Sequence, residues 1–238
     1  MQDDQFSRTG DSDLGPVVSY EQERAQVRLL DQRVYNLVLT ALVFGGFLVM
    51  GLCSMLFSDV QFLLAVGDHA TRIMFGCLLG SIVAIVMMSM ARKSQRVALS
   101  LVGYLLFVGT FGFTTSIALL SYSAQTISTA FLATAGITMV FGCLGVAFPN
   151  FFQRISGVLG GALLALIVVQ LLMMFLGVPQ TFLDIAVIVV FCGFIAHDFY
   201  VAATDVPTLA NAAFNASQLF LDILNVFLRV LSIFGRDN

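Results

Sequence analysis

The last apolar stretch of the chain begins at residue 209 and carries a regular series of polar side chains. The intervals between them alternate between four and three residues and average about 3.5. On an α-helix this spacing places all of them on one face, and the other face consists of Leu, Phe, Ile and Val. The series, which we call the polar stripe, is Asn211, Asn215, Gln218, Asp222, Asn225, Arg229, Ser232 and Arg236.

The composition of the whole chain makes these polar side chains costly to place. Of its 238 residues, 59% are hydrophobic and 11% are charged, and the mean hydropathy is +0.96. Soluble domains contain about 45–50% apolar and about 25% charged residues, so the sequence predicts a protein that crosses a membrane several times. A carboxylate at the centre of a bilayer costs on the order of 2.5–3.5 kcal/mol. We therefore expect a functional role for Asp222, the only acid of the stripe.

A buried carboxylate needs a partner, and the preceding apolar segment offers one. Asp198 lies 24 residues before Asp222. A hairpin turn at residues 205–208 brings the two to similar depths if the polar beginning of the last helix lies outside the hydrocarbon core. Two carboxylates in contact at low dielectric cannot both ionise cheaply, so the pair shares a proton. We predict that Asp198 and Asp222 form a pH sensor that acts as a gate.

The same two carboxylates predict a weak metal site. Their oxygens suit a hard cation such as calcium, but calcium takes six to eight oxygen ligands, so water must complete the site. Apart from calcium bound weakly by Asp198 and Asp222, we expect no cofactor. The four cysteines lie in separate apolar segments and form no CxxC pair, which disfavours a metal cluster or a disulfide framework.

The neighbouring polar residues receive secondary roles. His197 precedes Asp198 directly and therefore points about 100° away from it on a helix, so we predict it only as a secondary pH sensor. The remaining polar residues of the stripe's transmembrane part are predicted to line a pathway: Asn211, Asn215, Gln218, Asn225 and Arg229. For the three asparagines the alternative is simple hydrogen bonding between helices.

Seven segments are long and apolar enough to cross a bilayer, which requires about 20 residues. They cover residues 34–57, 73–91, 97–120, 127–148, 155–176, 182–201 and 209–234. The sequence thus predicts an all-α membrane protein with a seven-helix transmembrane bundle at 34–235, whose last helix is central because its stripe cannot face lipid. Residues 1–33 are predicted to form a cytoplasmic tail, disordered and then helical at the membrane interface, and residues 236–238 a short C-terminal tail.

The positions of Lys and Arg predict the orientation. Basic residues precede the first segment and follow the second and fourth: Arg24, Arg28, Arg33, Arg92, Lys93, Arg96 and Arg154. The N-terminus is therefore expected in the cytoplasm. Seven crossings place the C-terminus outside, whereas Arg229 and Arg236 favour a re-entrant last segment, and both topologies remain open. Residues 1–33 hold seven acids against four arginines, which disfavours a nucleic-acid partner.

Residues 219–235 resemble the C-terminal signature of the Bax inhibitor-1 (transmembrane Bax inhibitor motif) family. That signature reads approximately Leu-aromatic-Leu-Asp, then Asn-Leu-Phe-Leu, then Ile-Phe-Gly. The match is carried by Leu219, Phe220, Leu221, Asp222, Asn225, Phe227, Leu228, Ile233, Phe234 and Gly235. Seven predicted spans, a polar N-terminal tail and a length near 230 residues extend the likeness over most of the chain.

The resemblance implies a compact bundle with the last helix at its centre and, as in bacterial members, a pH-sensitive calcium leak channel of the inner (plasma) membrane. The family's paired aspartates correspond to Asp198 and Asp222. A basic residue at the cytoplasmic end of the second helix is the family's latch onto this pair, and Arg92 or Arg96 is its equivalent here. His197, Phe220 and Ser232 stand where Tyr, Tyr and Arg are usual, and these changes bear on the latch and the pH midpoint.

The residues and the resemblance together predict a pH-sensitive leak channel for calcium or other cations, gated by the buried aspartate pair. The alternative is a membrane interaction protein that regulates a stress response or a membrane protease without conducting ions. An enzyme is not expected, because HExxH, GxSxG and P-loop motifs are missing. Ile223 and Phe199 also replace the Gly that follows an aspartate of intramembrane aspartyl proteases. Expected partners are the lipid bilayer, cations and, under the alternative, another membrane protein.

Overall fold

The computed structural model describes residues 29–57, 67, 69–177 and 181–236. These residues contain seven α-helices and no strand, and each helix is long and apolar enough to span a membrane. The helices are α1 (Gln32–Leu56), α2 (Ala70–Ser94), α3 (Val97–Leu119), α4 (Ala124–Ala147), α5 (Pro149–Phe175), α6 (Thr181–Thr204) and α7 (Leu209–Phe234). The predicted all-α fold with seven membrane-spanning helices is confirmed. The predicted disordered and interfacial tail lies almost wholly outside the described residues.

Local side chains define where several helices begin. The Asp31 carboxylate accepts a hydrogen bond from the Arg33 backbone N–H at 3.1 Å and so caps α1. The Ser123 and Thr208 hydroxyls accept from backbone N–H groups three residues later, both at 3.2 Å, and cap α4 and α7. Such caps satisfy donors that the first turn of a helix leaves free. At the short α2–α3 connection, Gln95 adopts a left-handed conformation with φ 52°.

The last helix is the centre of the bundle, as the polar stripe predicts. Fifteen of the 26 residues of α7 are buried, and α7 packs against α1, α2, α3, α4 and α6. Its first half is rich in fully buried alanines, among them Ala210, Ala212, Ala213 and Ala216. Small side chains let membrane helices approach closely, so this half of α7 fits between its neighbours. By contrast, α5 packs on α4 and α6 at the periphery.

The structure decides between the two topologies left open for the last segment. The 26 residues of α7 form one unbroken helix, which at 1.5 Å per residue is about 39 Å long and exceeds the hydrocarbon core of about 30 Å. Near its beginning, Asn215 hydrogen-bonds Tyr35 at the start of α1. Beyond its end, Arg236 contacts Asp184 at the start of α6. We call these two ends of the bundle the N-terminal face and the C-terminal face. The last segment is therefore a full crossing.

A close helix contact joins α4 to α6 and depends on a glycine. A Cβ atom built on Gly145 would lie 1.9 Å from the carbonyl oxygen of Ala196. No side chain fits there unless the two helix backbones separate. This contact holds α6 in place close to Asp198, two residues further along the same helix.

We expect Gly145→Ala to destabilise the bundle. Overpacking typically costs about 1–3 kcal/mol, and the obstructing atoms belong to the backbone of α6. The matched control is Gly136→Ala on the same helix, where an added Cβ has no atom within 4 Å. The free energy of unfolding is measured by SDS titration of the purified protein in mixed micelles. Equal unfolding free energies for the two variants would contradict the close α4–α6 contact.

Candidate functional site

The polar stripe of α7 packs along α6, and the acids of α6 and of the following turn meet it at three levels. Asp205 contacts the beginning of α7, Asp198 its middle and Asp184 its end. This order is that of an antiparallel helix pair. We call the three groups the N-terminal cluster, the aspartate pair and the C-terminal cluster.

The aspartate pair is brought together by the structure. The carboxyl groups of Asp198 and Asp222 lie within electrostatic and hydrogen-bonding reach of each other. Asp222 is only 6% exposed, and its Oδ2 atom is buried without a hydrogen-bond partner among the described residues. Two ionised carboxylates have no hydrogen between them to donate. A hydrogen bond within this pair therefore requires that one of the two carboxyl groups carries a proton.

The α6–α7 turn brings Asp198 and Asp222 to similar depths, although Asp222 lies farther from the turn along the sequence. Asp205 does not project away from the bundle, because its carboxylate bonds the side chains of Asn211 and Asn215 in the first two turns of α7. The turn thus lies alongside the beginning of α7. This arrangement moves Asp222 towards the level of Asp198.

His197 belongs to the same polar group, contrary to its expected direction. Its Nδ1 atom lies 2.8 Å from Oδ1 of Asp198, and the two side chains are 23% and 15% exposed. Residues adjacent on a helix do not normally face each other, so the imidazole turns towards the carboxyl group. The secondary sensor predicted at His197 thus contacts the aspartate pair directly.

The N-terminal cluster surrounds Asp205 and contains one of the two latch candidates. Nη2 of Arg92 lies 2.8 Å from Oδ2 of Asp205. The aspartate pair was the predicted partner of the latch, and the structure instead pairs Arg92 with Asp205. The cause is position, because Arg92 belongs to the last turn of α2 and meets the α6–α7 turn there. The Arg96 side chain is exposed and forms no hydrogen bond or ion pair with a residue that the structure describes.

The C-terminal cluster was not anticipated as a unit. The Asp184 side chain is 4% exposed and accepts hydrogen bonds from Arg229 at 3.0 Å, from Arg236 at 2.8 Å and from Ser232 at 3.3 Å. The sequence feature that could have predicted this cluster is the spacing of the three donors along one face of α7, together with an acid in the first turn of α6. Because Asp184 binds both arginines, their charges are compatible with a full crossing of α7.

The remaining stripe residues lie between these clusters. Asn225 donates to the Leu221 carbonyl of its own helix at 2.8 Å, and Gln218 is half-buried one turn before Asp222. A cavity of about 290 Å³ is lined by Ala118, Tyr122, Asn225, Leu228, Arg229 and Leu231. Of the predicted pathway residues, Asn211 and Asn215 lie in the N-terminal cluster, while Arg229 joins the C-terminal cluster and this cavity. Ion pairs thus hold the stripe at both ends.

The described residues contain no group of three or more His, Cys, Asp or Glu side chains arranged to hold a metal ion. A calcium ion at the aspartate pair would have two carboxylates as its acidic ligands, and water would supply the remaining oxygens.

Comparison with known proteins identifies the family. Residues 27–238 match the family described as inhibitor of apoptosis-promoting Bax1. The chain belongs to the Bax inhibitor-1 family. It is 26% identical over 230 residues to an uncharacterized membrane protein of Streptococcus pyogenes serotype M1, covering 93% of this chain and 98% of the relative. The same values hold for an uncharacterized membrane protein of a Streptococcus pyogenes serotype M3 strain.

The Bax inhibitor-1 signature contributes large buried side chains to the centre of the bundle. Leu219, Phe220 and Phe227 are at most 2% exposed, and Phe220 packs its ring against Phe47 of α1 and Phe107 of α3. The apolar residues of the signature thus fix α7 in the centre of the bundle. Its aspartate is thereby held against α6.

We expect Asp184→Asn to destabilise the protein by about 1–3 kcal/mol, since it removes the buried anion that the partly buried Arg229 and the exposed Arg236 both contact. The free energy of unfolding in mixed micelles measures the loss. Asp31→Asn is the matched control, because Asp31 is exposed and Asn caps a helix as well as Asp does. If Asp184→Asn is as stable as Asp31→Asn, the C-terminal cluster does not hold α6 and α7 together.

Proposed function

We propose that this Bax inhibitor-1 chain is a pH-sensitive leak channel for calcium or other cations, gated by Asp198 and Asp222. The observation that carries the proposal is the buried contact between these carboxyl groups, in which Asp222 Oδ2 has no donor among the described residues. A buried carboxylate without donors is costly when ionised. The arrangement is therefore stable with a proton and strained without one.

Loss of that proton supplies the gating force. With one proton the pair is joined by a hydrogen bond and carries a single negative charge. Without it, two carboxylates repel each other at low dielectric. Water or a cation entering between α6 and α7 relieves this repulsion, and both processes separate the helices. Flux is thus expected to increase as the pH rises.

The same chemistry favours passage of the cation over storage. Two carboxylates offer at most four oxygens, whereas calcium takes six to eight. An ion held mainly by water leaves easily, as conduction requires. The proposal involves no covalent chemistry and no cofactor beyond such weakly bound calcium.

The bacterial membrane proteins among the relatives support a bacterial inner (plasma) membrane location, and the distribution of basic residues supports an N-terminus in the cytoplasm. Arg92, Lys93 and Arg96 lie at the α2–α3 connection, and Arg154 lies near the start of α5. Arg92 contacts Asp205, which places this connection at the N-terminal face. An excess of Lys and Arg marks the cytoplasmic side.

The test is calcium uptake by vesicles containing only the purified chain, measured from pH 5.5 to pH 8.5. We expect wild-type uptake to rise with pH, and Asp222→Asn and Asp198→Asn to abolish this rise, because a single carboxylate has no partner to repel. Uptake at the upper pH should fall roughly tenfold, equivalent to about 1.4 kcal/mol of lost ion stabilisation.

Asp31→Asn serves as the control and should retain the wild-type pH profile. The proposal is wrong if both aspartate variants keep that profile. Absence of uptake by the wild type at every pH would instead favour the alternative, a membrane interaction protein.

A further inference from the structure

We infer that the latch of this protein closes on Asp205 rather than on the aspartate pair, with Asn211 and Asn215 positioning the Asp205 carboxylate. The inference rests on the proposed channel function only for its effect on flux. Its structural content, that Arg92 holds the end of α2 against the α6–α7 hairpin through Asp205, is tested separately by a distance measurement.

Arg92 makes two contacts with the α6–α7 hairpin. Its Nη2 atom lies 2.8 Å from Oδ2 of Asp205, and its guanidinium carbon lies 4.9 Å above the ring of Phe214 on α7. The Arg92 and Asp205 side chains are 34% and 11% exposed. A partly buried ion pair with a cation–π contact binds more firmly than an exposed pair.

The Asp205 carboxylate is positioned by donors on both oxygens. Oδ1 accepts from the Val206 backbone N–H at 2.9 Å and from Asn211 Nδ2 at 3.3 Å. Oδ2 accepts from Asn215 Nδ2 at 2.9 Å, in addition to Arg92. Both asparagines belong to α7, so the position of this carboxylate depends on the position of α7.

Asn215 also links the latch to α1. Its Nδ2 group donates to the Tyr35 hydroxyl at 2.8 Å as well as to Asp205, so both amide hydrogens are used. The reversed amide would place an oxygen against the Asp205 carboxylate, and neither of these groups has a hydrogen to donate. The orientation of Asn215 is thereby fixed, and Tyr35 is fully buried.

Further hydrogen bonds close the N-terminal face around the latch. The Leu30 backbone N–H donates to the Pro207 carbonyl at 2.8 Å, and Gln95 Nε2 donates to Asn211 Oδ1 at 3.4 Å. The segment before α1, the end of α2, the α6–α7 turn and the beginning of α7 are thus joined at one place. Around Asp205, α2 contributes the cation Arg92, and α1 contributes Tyr35 through Asn215, whereas Arg96 at the start of α3 is exposed.

The Arg92–Asp205 ion pair lies at a distance from the aspartate pair, and α7 is the element that connects the two. Asp205 lies seven residues after Asp198, about 10 Å along a helix axis, and Arg92 pairs with Asp205 alone among the acids that the structure describes. A shift of α7 at Asp222 moves Asn211 and Asn215 with it, because all three belong to one unbroken helix. The donors of Asp205 are then displaced, and the Arg92 ion pair loses its preorganised acceptor.

The first measurement follows calcium flux at acidic pH, where the latch is closed. Arg92→Gln and Asp205→Asn should each raise the leak roughly fivefold or more, a shift of about 1 kcal/mol towards the open state. The exchanged pair Arg92→Asp with Asp205→Arg should bring the leak back towards the wild type, which a general loss of stability cannot do. Arg96→Gln is the matched control and should leave the leak unchanged.

The second measurement does not depend on flux. Nitroxide labels at Lys93→Cys and Val206→Cys, both exposed positions, report the distance between α2 and the α6–α7 turn in lipid nanodiscs. The background lacks the native cysteines Cys53, Cys77, Cys143 and Cys192. Arg92→Gln and Asp205→Asn should lengthen and broaden the distance distribution at acidic pH, and Arg96→Gln should not.

The two measurements separate the possible failures. A distance that responds to Arg92→Gln, in a protein without flux at any pH, supports the latch and contradicts the channel function. A pH-dependent flux with unchanged distances in both single variants contradicts the Asp205 latch and leaves the channel function standing. If Arg96→Gln has the same effect as Arg92→Gln, Arg92 has no specific role as the latch and the inference is wrong.

Discussion

Helix α6 and the turn after it carry acidic side chains into an apolar bundle. The rest of the structure depends on how these side chains are stabilised there. A carboxylate removed from water must find donors, a cation or a proton. Asp184 finds two arginines and a hydroxyl, and Asp205 finds an arginine and two amides. Asp198 contacts a histidine and Asp222. Each solution draws on the stripe of α7, so the two helices must lie side by side over their whole length.

This requirement explains why α7 is central. A helix with a polar stripe cannot face lipid, and the opposite face of α7 is covered as well because neighbouring helices pack closely on it. Phe220 packs between α1 and α3, and buried alanines in the first half of α7 let neighbouring helices approach. In a bilayer, helix association relies on close packing and polar contacts. The family signature provides residues for close packing and residues for polar contacts on the same helix. This is why the signature occupies a single segment of the chain.

Much of this could be read from the sequence because membrane spans and helical faces are periodic properties. The predicted last span, residues 209–234, coincides with α7, and the stripe gave its central position. The partner of Arg92 could not be found in this way. It depends on how the α6–α7 turn lies against α7, which brings Asp205 to Asn211 and Asn215. The C-terminal cluster was missed because it required the register between α6 and α7, and no single helix contains that information.

The order of the three acidic levels has a mechanical consequence. The two outer levels are already neutralised by arginines, so their hydrogen bonds and ion pairs hold α6 and α7 together at both ends. Among the described residues, the middle level forms no ion pair with an arginine, and in the proposed function its cohesion depends on a proton. Under the proposed function, strain produced at Asp222 by deprotonation is carried along α7 to the ends of the helix pair. At the N-terminal face it acts on Asn211 and Asn215, whose amides hold Asp205 for Arg92. A rigid central helix can thus couple a proton-sensitive contact in its middle to an ion pair near its beginning.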